Sequence, residues 1–312
     1  MDTLSDITSQ FSILNSQFDK HQVFVITGPT AVGKSAFGAA LAEKIGGEVV
    51  SADSMQIYKF MDIGTAKPGE EEKRGIKHHM LDIVPPWEDY SVARYIEDAA
   101  GCVDDILGRG KKAVIVGGTG LYIDSLISGR VFSKRGDAAL RRKLEAQYDA
   151  AGGEAMLREL HQVDPDCAQK LHANDKKRIV RALEVYETTG KPISLHDTET
   201  RALPPRYAAA KFALMLSDRA KLYEHIDMRV DMMLAKGFVN EVRMLLDMGV
   251  APNATSMQAI GYKELAAALR GGCGMDDAVE KIKMESRRYA KRQLTWLRRD
   301  KEINWLIKDV RI

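Results

Sequence analysis

Residues 23–56 read VFVITGPTAVGKSAFGAALAEKIGGEVVSADSMQ. Val23–Thr27 is a short apolar run of the kind that makes a buried strand. A helical pattern covers Lys34–Ile45 and is stopped by Gly46-Gly47, and Glu48–Ser51 reads as a second strand. Between strand and helix lies GPTAVGKS, which matches G-x-x-x-x-G-K-[ST] at Gly28, Gly33, Lys34 and Ser35. In such a loop the glycines let backbone N–H groups converge on phosphate oxygens, and the helix N-terminus adds its dipole. Lys34 supplies a point charge, and the Ser35 hydroxyl suits Mg²⁺. The flanking strand and helix make the motif a strong signal for a diphosphate. The loop reads no base, so the motif leaves open whether that diphosphate belongs to ATP.

The same alternation continues downstream. Ser91 is expected to cap a helix over Val92–Leu107 that Gly108 and Gly110 end, and Ala113–Val116 is a strand running into GGTGLY. Alternating strands and helices predict an α/β fold, a parallel sheet with helices on both faces. Ligands bind beyond the carboxyl ends of such strands, which puts GPTAVGKS, Asp53 and Gly117–Gly120 on one rim. From Asp137 to about Glu187 the periodicity is helical, with no convincing strand. Asp164-Pro165 reads as an N-cap and first-turn proline, and Asn174 as the cap of a helix over Asp175–Thr188. Phe212–Leu216 is a strand again. Helices over Lys221–Lys236, Val239–Met248 and Asp276–Arg299 follow. The expected organisation is a loosely attached tail over 1–20, a core of 21–129 and 209–312, and a helical insertion over 130–208.

The chain has 312 residues, 45% apolar and 29% charged, with a formal net charge of +2. That describes an ordinary soluble protein with no global field for nucleic acid, so any such argument is local. Cys102, Cys167 and Cys273 are far apart and suggest neither a zinc finger nor a disulfide framework. The first 20 residues carry acids where a signal peptide needs bases, and no stretch is long and apolar enough to span a membrane. A cytoplasmic location is expected.

A P-loop nucleotidase usually supports its metal with an aspartate at a strand end. The strand AVIV ends in Gly117-Gly118-Thr119 instead, and the carboxylate at a comparable strand end is Asp53. Asp53 can support a metal, act as a general base, or simply cap the turn that follows. The C-terminal stretch SRRYAKRQLTWLRRDK, residues 286–301, places Arg288, Lys291, Arg292 and Arg299 on one helix face, with Tyr289 and Trp296 interleaved. It reads either as an RNA-backbone surface or as a solvated face with Trp296 and Leu297 in the core. DKKRIVRALEV repeats the theme with Lys176, Lys177, Arg178 and Arg181, which shifts the balance toward a polyanion. His78-His79 lacks a third ligand at metal spacing and reads as structural.

Taken together, GPTAVGKS, SADSMQIYKFMDIGTAKP, HHMLDI, YSVARY, GGTGLY, NDKKRIVRALEV, GYKEL and YAKRQLTWLR resemble the bacterial tRNA dimethylallyltransferases, which prenylate adenosine 37. The resemblance runs from about Val23 to Arg298 and implies a P-loop core with a helical insertion. It lacks the C-terminal zinc finger of some eukaryotic relatives. It implies that Gly28, Pro29, Thr30, Ala31, Val32, Gly33, Lys34 and Ser35 hold the diphosphate of dimethylallyl diphosphate rather than ATP, with Mg²⁺ at Ser35. Arg229 is implied to contact the diphosphate from the opposite side, and Asp53 to be the general base toward N6 of adenine. Asp53, Ser54, Met55 and Gln56 would hold the base, with Thr119 and Lys170, Leu171, His172, Ala173 and Asn174 also contacting tRNA; Ser256–Tyr262 is a less secure match. Arg178, Arg181, Arg288 and Arg292 would grip the anticodon stem. The protein is expected to act as a monomer. Two enzyme alternatives stay open, prenylation of free AMP or ATP and a P-loop kinase or nucleotidase; a third is a non-catalytic RNA-binding protein.

Overall fold

The computed structural model describes residues 16–130 and 137–308, so residues 1–15 of the expected tail lie outside the described residues. The chain divides into two compact units. The first contains Met1–Ile127 and Tyr207–Ile312, the second Ser128–Arg206.

The first unit begins with β1 (Val23–Thr27), α1 (Lys34–Ile45), β2 (Gly47–Ser51), the short α2 (Glu70–Lys73) and β3 (His78–His79). It continues through α3 (Val92–Gly108), β4 (Lys112–Val116) and α4 (Gly120–Ser128). All six strands are parallel, in the order β3-β2-β4-β1-β5-β6, where β5 is Ala209–Leu216 and β6 is Asn304–Lys308. Every residue of β1 and β2 is buried, the mark of strands covered on both faces. Phe24 and Ile26 of β1 pack with Phe37 and Leu41 of α1, and with Val114, Phe212 and Leu214 from the neighbouring strands. Each such side chain stabilises the fold by about 1.5–3 kcal/mol.

The expected strands and α1 fall where the sequence puts them, to within one to three residues. Ser91 caps α3 by accepting the Arg94 N–H. Two strands were not foreseen. β3 has only two residues, too few to show a period, and β6 follows the long basic helix with no clear alternation. In β3, His79 Nε2 meets buried Glu48 at 2.7 Å and His78 Nδ1 meets the Ile76 carbonyl, a structural use of both rings.

After β5 come α10 (Arg219–Ala235), α11 (Phe238–Asp247), α12 (Tyr262–Leu269) and α13 (Met275–Leu297). The second unit holds α5 (Ala138–Ala151), α6 (Gly153–Val163), α7 (Pro165–Ala168), α8 (Lys176–Thr189) and α9 (Ile193–Arg201) around Leu144, Leu160, Ile179 and Leu183. Asp164 caps α7 through the Cys167 N–H. The cap of α8 differs from expectation. Asp175, not Asn174, is the N-cap, and its Oδ2 accepts the His172 N–H instead of a helical one.

Candidate functional site

Register sets the rim. Ile26 of β1 and Ser51 of β2 both pair with Val116 of β4, so the three strands end level. The phosphate loop, Asp53 and Gly117–Thr119 leave from those ends. Gly28 cannot be replaced cheaply, since a Cβ would lie 2.3 Å from the Leu214 carbonyl oxygen and φ is +139°. Ala31 at φ 67° is held in the left-handed region, a strain of the kind stored at ligand-binding loops. The backbone N–H groups of Ala31–Ser35 donate to no other described residue, and the helix dipole points the same way. Lys34 donates to the Pro29 carbonyl at 2.7 Å. Burial and the Arg229 guanidinium bring its ammonium down to about 7, with Asp53 opposing. Val32 is buried and anchors the loop to the core.

Asp53 makes the turn it was suspected of making. Its Oδ1 accepts the Met55 N–H at 2.9 Å and the Gln56 N–H at 3.4 Å. Thr119 faces it across the rim, where its Oγ1 accepts the Ser54 N–H at 3.2 Å. Gln56 is buried. Its Oε1 accepts from Ser51, and its Nε2 donates to the carbonyls of Thr65 and Ala66, so its side chain braces the cavity wall.

Two cavities open on this rim. One, of about 480 Å³, is lined by Gly33, Lys34, Ser35 and Gly118 on the phosphate side and by Ile63, Met232 and other apolar groups. The other, of about 310 Å³, is lined by Ser54, Met55, Phe238, Gln258 and Arg292. Both are bordered by Thr30, Asp53, Arg229, Met233 and Tyr289, so the cavities share a wall that includes Asp53. Arg229, on α10, is lowered from its ordinary value by burial, with Asp53 and Glu72 opposing.

Several residues that border or brace the cavities were given no such role from sequence, Tyr289 being read only as an aromatic interleaved in the basic helix. Tyr289 borders both cavities, and burial raises it to about 12. Gln293, one turn further along α13, is buried and bonded to two rim loops. Glu241 of α11 accepts the N–H groups of Asp62, Ile63 and Gly64 and the Tyr262 hydroxyl, and so fixes a loop that borders both cavities. A buried glutamine and glutamate inside otherwise periodic helices were the signals to read, since such groups are buried only when bonded.

The basic segments are unequal. Arg288 and Arg292 are exposed on α13; Arg288 pairs with Glu285 at 2.6 Å, and Arg292 lies 5.7 Å from the Tyr289 ring centre. Trp296 is not simply a core residue, because its Nε1 donates to Asp124 at 2.7 Å. In the second unit Lys170, His172, Asn174 and Arg178 are exposed. Leu171 packs on the helical core, and Ala173 is buried with its carbonyl taken by Tyr148. Arg181 correspondingly pairs with Glu184, whose side chain is fully buried and also holds Arg141.

Among the described residues no three His, Cys, Asp or Glu side chains cluster as metal ligands. Mg²⁺ needs no such cage, since it takes one or two protein oxygens and completes its shell with phosphate and water. The Ser35 hydroxyl and Asp53 border the same cavity and offer only oxygen, a set that fits that ion.

Residues 56–300 match the family model for IPP transferase, and residues 21–85 that for isopentenyl transferase. The chain is 50% identical over 288 residues to the tRNA dimethylallyltransferase of Acetivibrio thermocellus, covering 92% of each. It is 46% identical to tRNA dimethylallyltransferase 2 of Geotalea uraniireducens, covering 92% of this chain and 93% of that one. Among solved structures, the tRNA isopentenylpyrophosphate transferase of Bacillus halodurans aligns with a TM-score of 0.69 at 38% identity, over 94% and 92% of the two chains. A eukaryotic dimethylallyltransferase described as acting on tRNA aligns with a TM-score of 0.79 at 33% identity, over 92% of this chain and 73% of that one. With more than half of its length under one family model and 50% identity over 288 residues to a relative of which it covers 92%, the chain belongs to the IPP transferase family.

Proposed function

We propose that the protein transfers a dimethylallyl group from dimethylallyl diphosphate to N6 of adenosine 37 in tRNA and releases diphosphate. The observation that carries this reading is a pair of cavities sharing a wall that includes Asp53, one of them built around a phosphate loop. The donor enters from the loop side and the nucleotide from the other. A base within an anticodon stem-loop must be turned out of its stack to reach such a point.

The exocyclic N6 is a poor nucleophile because its lone pair is shared with the ring. An allylic diphosphate offsets this by ionising readily, so the protein's main task is to stabilise the departing charge. The free N–H groups of the loop, Lys34 and Arg229 surround that charge from two sides. As the N6–C1 bond forms, the C1–O bond breaks and its electron pair leaves with the diphosphate. Asp53 Oδ2 takes the N6 proton while Oδ1 keeps the turn in place. Mg²⁺, held by Ser35 with support from Asp53, would neutralise diphosphate charge when bound. The exposed cations of α13 and of the helical unit would grip RNA phosphates. No helix among the described residues is long and apolar enough to cross a membrane.

The rival reading is a nucleotidase, and it differs first in what the loop prefers. Titration calorimetry with dimethylallyl diphosphate and with ATP, each with Mg²⁺, is expected to show tighter binding of the prenyl donor. Tighter ATP binding with hydrolysis would overturn the proposal.

A further inference from the structure

The phosphate loop does not stand on its own. Gln293 Oε1 accepts the Thr30 N–H at 2.9 Å, and its Nε2 donates to the Gly118 carbonyl at 3.0 Å. One carboxamide on α13 thus clasps the loop after β1 to the loop after β4. The Gln293 side chain is buried, while Thr30 and Gly118 at its two ends are half-buried. Gly118 is shaped to receive it, since a Cβ there would lie 2.2 Å from the Gln293 nitrogen. One turn on, Trp296 seats against Gly120, where a Cβ would meet its ring at 2.4 Å, and bonds Asp124. GGTG is therefore a seat for α13 as much as a ligand-facing loop.

The amide of Thr30 is the informative atom. Thr30 borders both cavities and sits in the middle of the diphosphate loop. Its N–H points to Gln293, while the N–H groups of Ala31–Ser35 donate to no described residue. Fixing that one peptide plane restricts the orientations open to the next ones, because each peptide is planar and only φ and ψ turn between neighbours. Preorganised donors cost no rearrangement when the anion arrives.

We propose that Gln293 is a positioning residue for the prenyl donor. It acts through Thr30 to hold the phosphate loop in its diphosphate-ready shape, and it places this duty on the helix that carries the exposed arginines. The inference rests on the transfer reaction proposed above.

The test uses Gln293→Met, which keeps the volume and removes both bonds, and Gly118→Ala, which pushes the amide off from the opposite side. Three quantities are measured on the full chain: the Kd for inorganic diphosphate with Mg²⁺, the KM for dimethylallyl diphosphate, and the Kd for an anticodon stem-loop RNA. Losing a buried amide's partners is expected to weaken diphosphate binding and raise the donor KM by about tenfold or more in both variants. RNA affinity should stay within about twofold, because the exposed arginines of α13 are untouched. A residue of purely structural importance would lower the melting temperature without separating the two ligands. If Gln293→Met folds and binds diphosphate as the wild type does, the proposal is wrong; if Gln293→Met does not fold, Gly118→Ala decides in the same way. Diphosphate binding is read without any transfer, so a wild-type protein that binds diphosphate but prenylates nothing would sink the reaction and leave the clasp still testable.

Discussion

Asp53 is joined to Met55 through one oxygen only. Oδ1 accepts the Met55 N–H at 2.9 Å, and Oδ2 hydrogen-bonds to no described residue while the side chain borders both cavities. The turn-cap role and the general-base role, which compete when the sequence is read, fall on different atoms of one carboxylate.

Asp53→Asn follows from that division. Asparagine keeps the Oδ1 acceptor, and Asn and Asp cap about equally, so thermal stability should barely change. The amide nitrogen that replaces Oδ2 cannot take a proton, and single-turnover transfer should slow by about 10²–10⁴-fold. Near-normal turnover would leave Asp53 with the cap alone. Loss of Mg²⁺-dependent donor binding would point to metal support instead.

Lys34 gives a pH signature. Burial and Arg229 bring it from its ordinary 10.5 to about 7, with Asp53 opposing. Between those values the unfolded chain holds a proton that the folded chain lacks, so this group adds stability as pH rises through the window. A bound diphosphate favours the ammonium and pulls the pKa back up. Donor binding at about pH 8 should therefore take up a proton, and affinity should fall as pH rises above about 7. Calorimetry in buffers of different ionisation heat reads the uptake directly, and Lys34→Met should abolish it. Zero uptake in the wild type would mean that Lys34 is already charged in the free protein.

The arginines should separate into two classes. Arg292→Ala removes an exposed cation and should lower the salt dependence of RNA binding by about 0.7–0.9 in slope. Arg288→Ala should do less, because Glu285 already neutralises it. Arg181→Ala should leave the slope unchanged and destabilise the helical unit by about 1–3 kcal/mol, since it strips a bond from a fully buried carboxylate. Filter binding across a salt series, with urea unfolding alongside, checks all three. A slope change with Arg181→Ala would return it to the RNA surface.

Glu241→Ala leaves the N–H groups of Asp62, Ile63 and Gly64 and the Tyr262 hydroxyl without their acceptor. Several charge-assisted bonds are lost together, so unfolding free energy should drop by about 3 kcal/mol or more. Urea unfolding measures it, and a drop under about 1 kcal/mol would mean that the loop finds other partners.

How far the sequence carries depends on whether a signal is local. GPTAVGKS announces its own strand, turn and helix, and β1 and α1 begin and end where those residues put them. Ser91 names its helix in the same way. Gln293 is different. Alone it is one polar residue in a basic helix, and its importance comes from Thr30, 263 residues away in the chain. Glu241 likewise serves a loop 177 to 179 positions earlier. Arg181 shows the other side: a basic residue that the sequence sets on a polyanion surface also pairs with a buried carboxylate on its own helix. Side-chain periodicity locates faces, and only the fold shows which polar atoms a face encloses.

The transfer reaction itself is the most direct test. Purified protein is incubated with labelled dimethylallyl diphosphate and Mg²⁺, with tRNA, AMP or ATP as acceptor; one portion of the tRNA product is digested to nucleosides to identify the modified base by mass, and another to oligonucleotides to locate it in the sequence. Label in N6-(dimethylallyl)adenosine from position 37 of tRNA, with none on AMP or ATP, is the expected result. Label confined to the free nucleotides, or ATP hydrolysis without any transfer, would contradict the account.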